Sequence, residues 1–457
     1  MTDSRKKRMI LYSVLFAVSA VFYLFWYWHD GIIITPDAQS YIDMASDREP
    51  IYPLFLWFCR CLAGKEKYQQ LAVVLQCILA AVAAVMITMK LRERFSLRLI
   101  GTAGILMIQY GITILNRFVA QRKYSYYNSI ETEAITYSLW ILFILSLLEI
   151  VYDKSKKSIL WSVIWAVILM ATRKQMLIAF GLLFLCILVT WYKDKGWKKA
   201  FLGAILLVII GLASTRLIDC AYNYVSRGEF APHTGDSSFI LGTELYVANQ
   251  NMAQYIEDDD RRAIFNEIME RADESGYNTQ YAGKSWQNIE DHYSASYDRI
   301  KFDIVMVVIR EYQDKHNVPQ EYRDSNYNEI VDAMMKELLV PCIPGIIRIF
   351  GSNIIHGMIT TVLKVHRVLN WIAVILYIAY VCIFVRLIRL HGLKNCSNSS
   401  VPFALVVILA IVFNVVLTSA TIYPQMRYML YNTALFYQAG LVMLTELYHE
   451  EKRRRSR

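Results

Sequence analysis

The sequence predicts an all-α fold: a polytopic transmembrane helical bundle of about ten spans with a small, mostly helical external domain. Three observations predict it. Hydrophobic residues make up 56% of the 457 positions and charged residues only 19%, below the quarter share usual in soluble chains. Apolar runs near the twenty-residue length that crosses a bilayer as a helix recur along the chain. One acidic block, residues 219–340, interrupts them.

The expected spans, in order, are 9–28, 69–89, 97–116, 133–151, 159–172, 175–192, 200–218, 368–388, 401–422 and 428–447. The first follows Arg5, Lys6, Lys7 and Arg8, as the hydrophobic core of a signal peptide would. It is too long for that, ends in Phe25, Trp26, Tyr27 and Trp28, and lacks a small-residue cleavage pattern, so it reads as a retained helix. The fifth is short. Basic clusters recur at every second connection: Arg5 to Arg8, Lys90 to Arg98, Lys154 to Lys157, Lys193 to Lys199, Arg386 to Lys394 and Lys452 to Arg457. The positive-inside rule puts these ends, and both termini, in the cytoplasm. The expected location is a plasma membrane, crossed many times.

The charge of +9 conceals a division. Residues 219–340 hold 23 Asp and Glu against 11 Lys and Arg, a net −12, which leaves +21 on the rest. Such a block belongs outside. Its stretches around 257–275 and 296–338 space apolar residues at helical intervals and contain little Pro or Gly. Three modules follow: residues 1–218, an N-terminal transmembrane module with the first external loop; 219–345, the acidic helical domain; and 346–457, a C-terminal transmembrane module.

The eight cysteines form no CxxC pair and have no His partners at zinc spacing. Cys77, Cys186 and Cys382 fall inside apolar runs and read as buried small hydrophobes. Cys220 and Cys342 bracket the acidic block, where two unpaired thiols are preferred over a disulfide. No phosphate-binding loop, GxGxxG or HExxH is present, so soluble-nucleotide chemistry has no support.

Charges that break the topology rule are the informative ones. Arg117, Arg122 and Lys123 follow the third span, Arg173 and Lys174 fill the tight turn between the fifth and sixth, and Arg427 lies between the last two. A charge at membrane depth costs roughly 2.5–3.5 kcal/mol and usually faces a polar cavity or a partner. Snorkelling to the headgroups is the alternative. The same face carries acids. Asp37 and Asp43 stand in "TPDAQSYIDMASDREPIYPLFL" (35–56), with Tyr41 and Arg48, and Glu131 and Glu133 stand in "SIETEAITYSLW" at the mouth of the fourth span. Locally, Thr35 is expected to cap a helix that starts at Pro36, with Asp37 favouring its positive end.

These segments resemble the GT-C superfamily of membrane glycosyltransferases, particularly the bacterial relatives of protein O-mannosyltransferases and aminoarabinose transferases (family 39-like). The resemblance rests on "PDAQSYIDMA…REPIYPLFL" after the first span, "ETEA" entering the fourth, the basic turn "TRKQ", and "YPQMRYML" entering the last. It touches the whole transmembrane part; the acidic block matches nothing in the family. It implies an external active site, a polyprenyl-phosphate-linked sugar donor, and inversion at the anomeric carbon. Asp37 would be the general base, with Glu131 and Glu133 orienting the acceptor. Arg173, Lys174, Arg427 and Tyr428 would bind the donor phosphate. Asp43, Tyr41, Arg48, Arg117, Arg122, Lys123 and His356 are further candidates for donor or acceptor contacts. Where many members carry an acidic pair, Asp37 is followed by Ala38. No metal ligand is therefore assigned, and a divalent cation (Mg or Mn) stays open.

Chemistry agrees with this implication. Nucleotide sugars do not reach the outer face, so a donor there arrives on lipid. It leaves as a phosphate, which a basic residue stabilises, while the acceptor hydroxyl benefits from a carboxylate base. The implied partners are the lipid-linked donor, membrane lipid, and a polysaccharide, lipid or protein acceptor; no nucleic acid is expected. Two alternatives remain at this point. One is an external polysaccharide polymerase or ligase using His356, Arg348 and His366. The other is a lipid-linked sugar flippase or transporter, against which few glycines and the absence of a visible repeat count. In the acidic block, "HTGDSSF" (233–239) and "SWQNIEDHYS" (285–294) suit acceptor recognition, although Trp286, His292 and Tyr293 read slightly better as core.

Overall fold

The computed structural model describes residues 3–119, 123–234, 237–366, 368–392 and 396–456; Arg122 lies outside them. In chain order the elements are α1 (Asp3–Asp30), β1 (Ile33–Ile34), α2 (Ala38–Ile42), α3 (Ile51–Phe95), α4 (Leu99–Phe118), β2 (Ser129–Ile130), α5 (Glu133–Asp153), α6 (Lys156–Met170), α7 (Ile178–Lys195) and α8 (Trp197–Arg227). They continue with α9 (Ser237–Val247), α10 (Asp259–Glu274), α11 (Trp286–Arg299), α12 (Met306–Lys315), α13 (Arg323–Val362), α14 (Asn370–His391), α15 (Val401–Thr421) and α16 (Met426–Arg455). Among the described residues, nine helices are long and apolar enough to cross a membrane.

The membership of that set differs from the sequence expectation. At 15 residues, α6 is too short, and α16 is diluted by Asn432, Gln438 and several tyrosines. In exchange, the stretch Gln320–Val362 qualifies. Its apolar end was hidden in the sequence by Pro341, Pro344, Arg348 and His356, residues that normally mark a helix boundary or a polar surface.

The chain divides into two compact units. The first comprises Met1–His233, Thr361–Asn414 and Met426–Arg457. Its most enclosed helix is α5, whose residues from Glu133 to Leu148 are all buried and which packs against α3, α6 and α7. A helix apolar all round belongs at such a centre. Small residues let neighbours approach: a Cβ on Gly211 of α8 would stand 2.2 Å from the Phe180 ring of α7. Polar residues stitch the interior. Gln76 accepts from the Tyr52 hydroxyl at 2.9 Å and donates to the Tyr127 and Ser129 carbonyls. Trp140 donates to Asn432, which in turn donates to the Ala410 carbonyl.

The second unit comprises Thr234–Thr360 and Val415–Gln425. Its helices begin at caps legible in sequence: Asp258 accepts from the Arg261 amide and Ser285 from the Asn288 amide. Leu245, Tyr246, Phe265, Ile268, Tyr293, Tyr297, Val308 and Met334 form its core. Tyr293 is thus core, sharing a 2.8 Å hydrogen bond with Thr243, and Trp286 is half-buried. His292 Nε2 lies 3.0 Å from the Gly276 carbonyl, so it carries the proton, and Nδ1 accepts from the Tyr246 hydroxyl at 2.9 Å. Cys220 and Cys342 are both buried free thiols.

Glu244 on α9 is fully buried, and neither carboxyl oxygen has a hydrogen-bond partner. Burial pushes its carboxyl up from 4.5 to about 8. A raised folded-state value means the folded state holds the proton more tightly. Its contribution is therefore complete below pH 4.5 and is lost as pH rises to about 8. Thermal unfolding of the purified chain should show the second unit weakening over that window. Glu244→Gln, which keeps the shape without a charge, should flatten the dependence; an unchanged slope would assign it to other groups.

Candidate functional site

The site is assembled at one end of the first unit, where α1 leads into β1. Ile33 and Ile34 pair in parallel with Ser129 and Ile130. Thr35 does not cap a helix as expected; its hydroxyl donates to the Ile130 carbonyl at 2.9 Å. Asn128 donates to the Gly31 carbonyl. This short bridge ties the loop holding Asp37 to the residues that enter α5, and the 126–141 segment around it is almost wholly buried. A second tie runs from the end of the loop to the α6–α7 turn. The Ile51 amide donates to the Ala171 carbonyl and the Lys174 amide to Glu49, both at 3.0 Å.

Glu133, the first residue of α5, is 2% exposed. Arg173 meets it at 2.7 Å and also donates to the Thr132 hydroxyl at 3.0 Å. Arg427, in the first turn of α16, lies 3.8 Å from the same carboxylate. Both guanidiniums lie over the Tyr428 ring, 4.9 and 4.8 Å from its centroid, and Arg427 donates to the Tyr428 hydroxyl at 2.7 Å. The buried Nε of Arg427 has no hydrogen-bond partner. The backbone there is fixed from three sides: Tyr137 donates to the Arg427 carbonyl, and Gln175 and Asn414 donate to that of Tyr428.

Tyr41 joins this cluster to the opening loop. It is buried, feels the charges of Arg48, Glu133, Arg173 and Glu49, and has its phenol pushed up by burial. Arg48 lies 4.8 Å over the Tyr41 ring, pairs with Asp37 at 3.0 Å, and donates to the Ser40 hydroxyl at 2.7 Å. The Asp37 side chain is 40% exposed. It occupies the N-cap of α2 without making a capping bond, and Arg48 engages one of its two carboxylate oxygens. Glu131 is buried and accepts from Ser129 at 2.6 Å and from Tyr124 at 3.3 Å.

Four segments named from sequence therefore converge: the 35–56 loop, "ETEA", "TRKQ" and "YPQMRYML". Not every residue in them does. Lys174 feels the charges of Glu49 and Asp219, and its amide donates to Glu49. Asp43 accepts from Gln39 on the exposed side of α2. Arg117 pairs with Asp30 and covers the Trp26 ring, and Lys123 is exposed. His356 belongs to the second unit, where it pairs with Glu290 at 2.7 Å. His366 is exposed and accepts from the Val368 amide. Sequence reasoning passed over Glu49, Thr132, Tyr137, Gln175 and Asn414. Closeness in the chain to the named charges could have flagged the first four; Asn414 is marked only by being a polar residue inside an apolar run.

Among the described residues, no three His, Cys, Asp or Glu side chains are placed to hold a metal ion. The acids present do not fit a resident divalent cation, because Asp37 is engaged by Arg48 and Glu133 by two arginines. What the cluster suits is an anion: two guanidiniums, an unfilled donor, and tyrosine hydroxyls around one shared carboxylate. In the same unit an apolar cavity of about 380 Å³ lies between α4, α14 and α16, lined by Ile112, Leu115, Leu376, Tyr380, Tyr437 and Gly440. It begins at Thr433, six residues or about 9 Å along the helix from Arg427. No family model, curated protein or solved structure matches this chain.

Proposed function

We propose that this chain is an integral-membrane glycosyltransferase of GT-C type. It moves a sugar from a polyprenyl-phosphate-linked donor to an acceptor hydroxyl on the external face of the plasma membrane, with inversion. The observation that carries the reading is the half-buried pair Arg173 and Arg427 on the one buried carboxylate of Glu133, linked through Tyr41 and Arg48 to the accessible Asp37. The arginines would take the donor phosphate, whose charge grows as the C1–O bond breaks. Asp37 would accept the proton of the acceptor hydroxyl as it attacks C1 from the opposite side. Tyr41 and Tyr428 would wall the headgroup, and the apolar cavity along α16 would hold the first isoprene units of the donor. The reaction needs no redox partner. One bond from sugar to phosphate oxygen breaks and one to the acceptor oxygen forms.

A single-turnover assay with radiolabelled polyprenyl-phosphate sugars tests this. The expected result is release of polyprenyl phosphate in step with sugar transfer. Consumption of lipid-linked oligosaccharide with release of the diphosphate lipid would favour a polymerase or ligase. Movement of intact donor across vesicles without bond cleavage would favour a transporter.

A further inference from the structure

The stretch Ile51–Phe95 is too long to be one membrane crossing. Its 45 residues would extend about 67 Å as a single helix, against a hydrocarbon core of about 30 Å. Gly64 resolves the conflict. With φ 73° and ψ 175° it stands in a region closed to other residues, and it separates a 51–63 helix from the 65–95 helix that contains the apolar run.

The 51–63 helix is two-faced in an unusual sense. One face buries Tyr52, Leu56 and Cys59, and Tyr52 meets Tyr41 edge-on, with ring centroids 5.2 Å apart. The opposite face is apolar too and uncovered: Trp57, Phe58 and Leu62 are 53%, 50% and 64% exposed, with Cys61 among them. Exposed Arg60, Lys65 and Lys67 flank that face, with one exposed acid, Glu66, between the lysines, so the margin is net basic. In water, two neighbouring aromatic rings and a leucine would forfeit about 25 cal/mol per Å² of apolar surface. A helix with an aromatic apolar face and a basic margin, continuous with a spanning helix, matches the boundary between headgroups and acyl chains.

We infer that the 51–63 helix lies in the headgroup layer of the bilayer, with Trp57, Phe58 and Leu62 inserted and Arg60, Lys65 and Lys67 on the lipid phosphates. Through Tyr52 and Tyr41 it holds the arginine cluster at the level of membrane phosphates. The occupant of this surface is phospholipid, not a protein partner, because its basic margin complements a phosphate layer. The inference depends on the chain crossing a membrane and not on the reaction assigned to it.

Cys61 and Cys382 are the two exposed cysteines; Cys382, expected from sequence to be buried, lies on an outward face of α14. They make the test possible in the full chain. Cys382→Ser leaves Cys61 for labelling with an environment-sensitive fluorophore, and Cys61→Ser leaves Cys382, which lies midway along α14. Each protein is reconstituted into phosphatidylcholine–phosphatidylglycerol vesicles carrying quenchers at the headgroup or deep in the acyl chain. The Cys61 label should be quenched at least two-fold more by the headgroup quencher, and the Cys382 label more by the deep one. If Cys382 is quenched deep while Cys61 is quenched by neither, the helix faces water or protein and the inference fails. Deep quenching of Cys61 would place the helix in the hydrocarbon and overturn it as well. If neither label is quenched by either lipid, the reading as a membrane-spanning chain fails with it.

Discussion

Arg173→Ala is expected to lower sugar transfer by about 10²–10³-fold and to destabilise the first unit. The guanidinium meets Glu133 at 2.7 Å in a setting where the carboxylate is 2% exposed. Breaking one partner out of a buried pair costs about 3–5 kcal/mol, because the other charge stays buried. Loss of a donor to a developing anion lowers turnover by about 10²–10³-fold. The two effects are separable. Arg173→Ala combined with Glu133→Gln removes both charges of that pair and keeps a polar neighbour for Arg427, so thermal stability should recover in part while turnover stays low. Arg427→Lys offers a milder probe: it keeps the charge but replaces a planar fork by a point donor. It should weaken donor use by at least ten-fold with little change in melting temperature. Normal turnover in the double variant, measured in single-turnover mode, would show that the cluster is structural only.

Asp37→Asn should lower turnover by about 10²–10⁴-fold, the range typical of a general base, and leave folding nearly intact. The reason for the second expectation is exposure. The Asp37 side chain is 40% accessible and its partner Arg48 is 22% accessible, and an ion pair of that kind contributes about 0–1 kcal/mol. The variant preserves shape and one hydrogen-bond acceptor toward Arg48 but cannot take a proton. Near wild-type turnover from a normally folded protein would remove Asp37 from the mechanism and direct attention to Glu131.

Much of this arrangement was legible in the chain, for identifiable reasons. Helices with strongly apolar composition, such as α5 and α15, announce themselves because an unbroken apolar run of about twenty residues is legible from length and composition alone. The charges at Glu133, Arg173 and Arg427 stand out because they are costly where they occur. Other features were not legible. The α13 segment hides its length behind two prolines and an arginine. Nothing in the local pattern separates Arg173 from Lys174, adjacent in a tight turn, yet the first pairs with Glu133 while the second feels the charges of Glu49 and Asp219. That difference is set by the extended backbone at Arg173 (φ −162°, ψ 125°) just before the turn at 174–177. Likewise Arg117 carried the same topological oddity as Arg427 but is answered locally by Asp30. Sequence distance gives no hint of a partner 87 positions away.

The carboxylate shared by two arginines also bears on how a ligand would leave. Glu133 already occupies the strongest donors of the cluster, so an arriving anion does not fill an empty seat; it trades places with a tethered one. The free energy gained is then a difference between two anions on the same guanidiniums, smaller than either alone. A highly charged product held by two half-buried arginines with no such rival would be a dead end. Under the proposed reaction, Glu133 on the first turn of α5 would return as the product leaves, so the group that tempers affinity would also ease release.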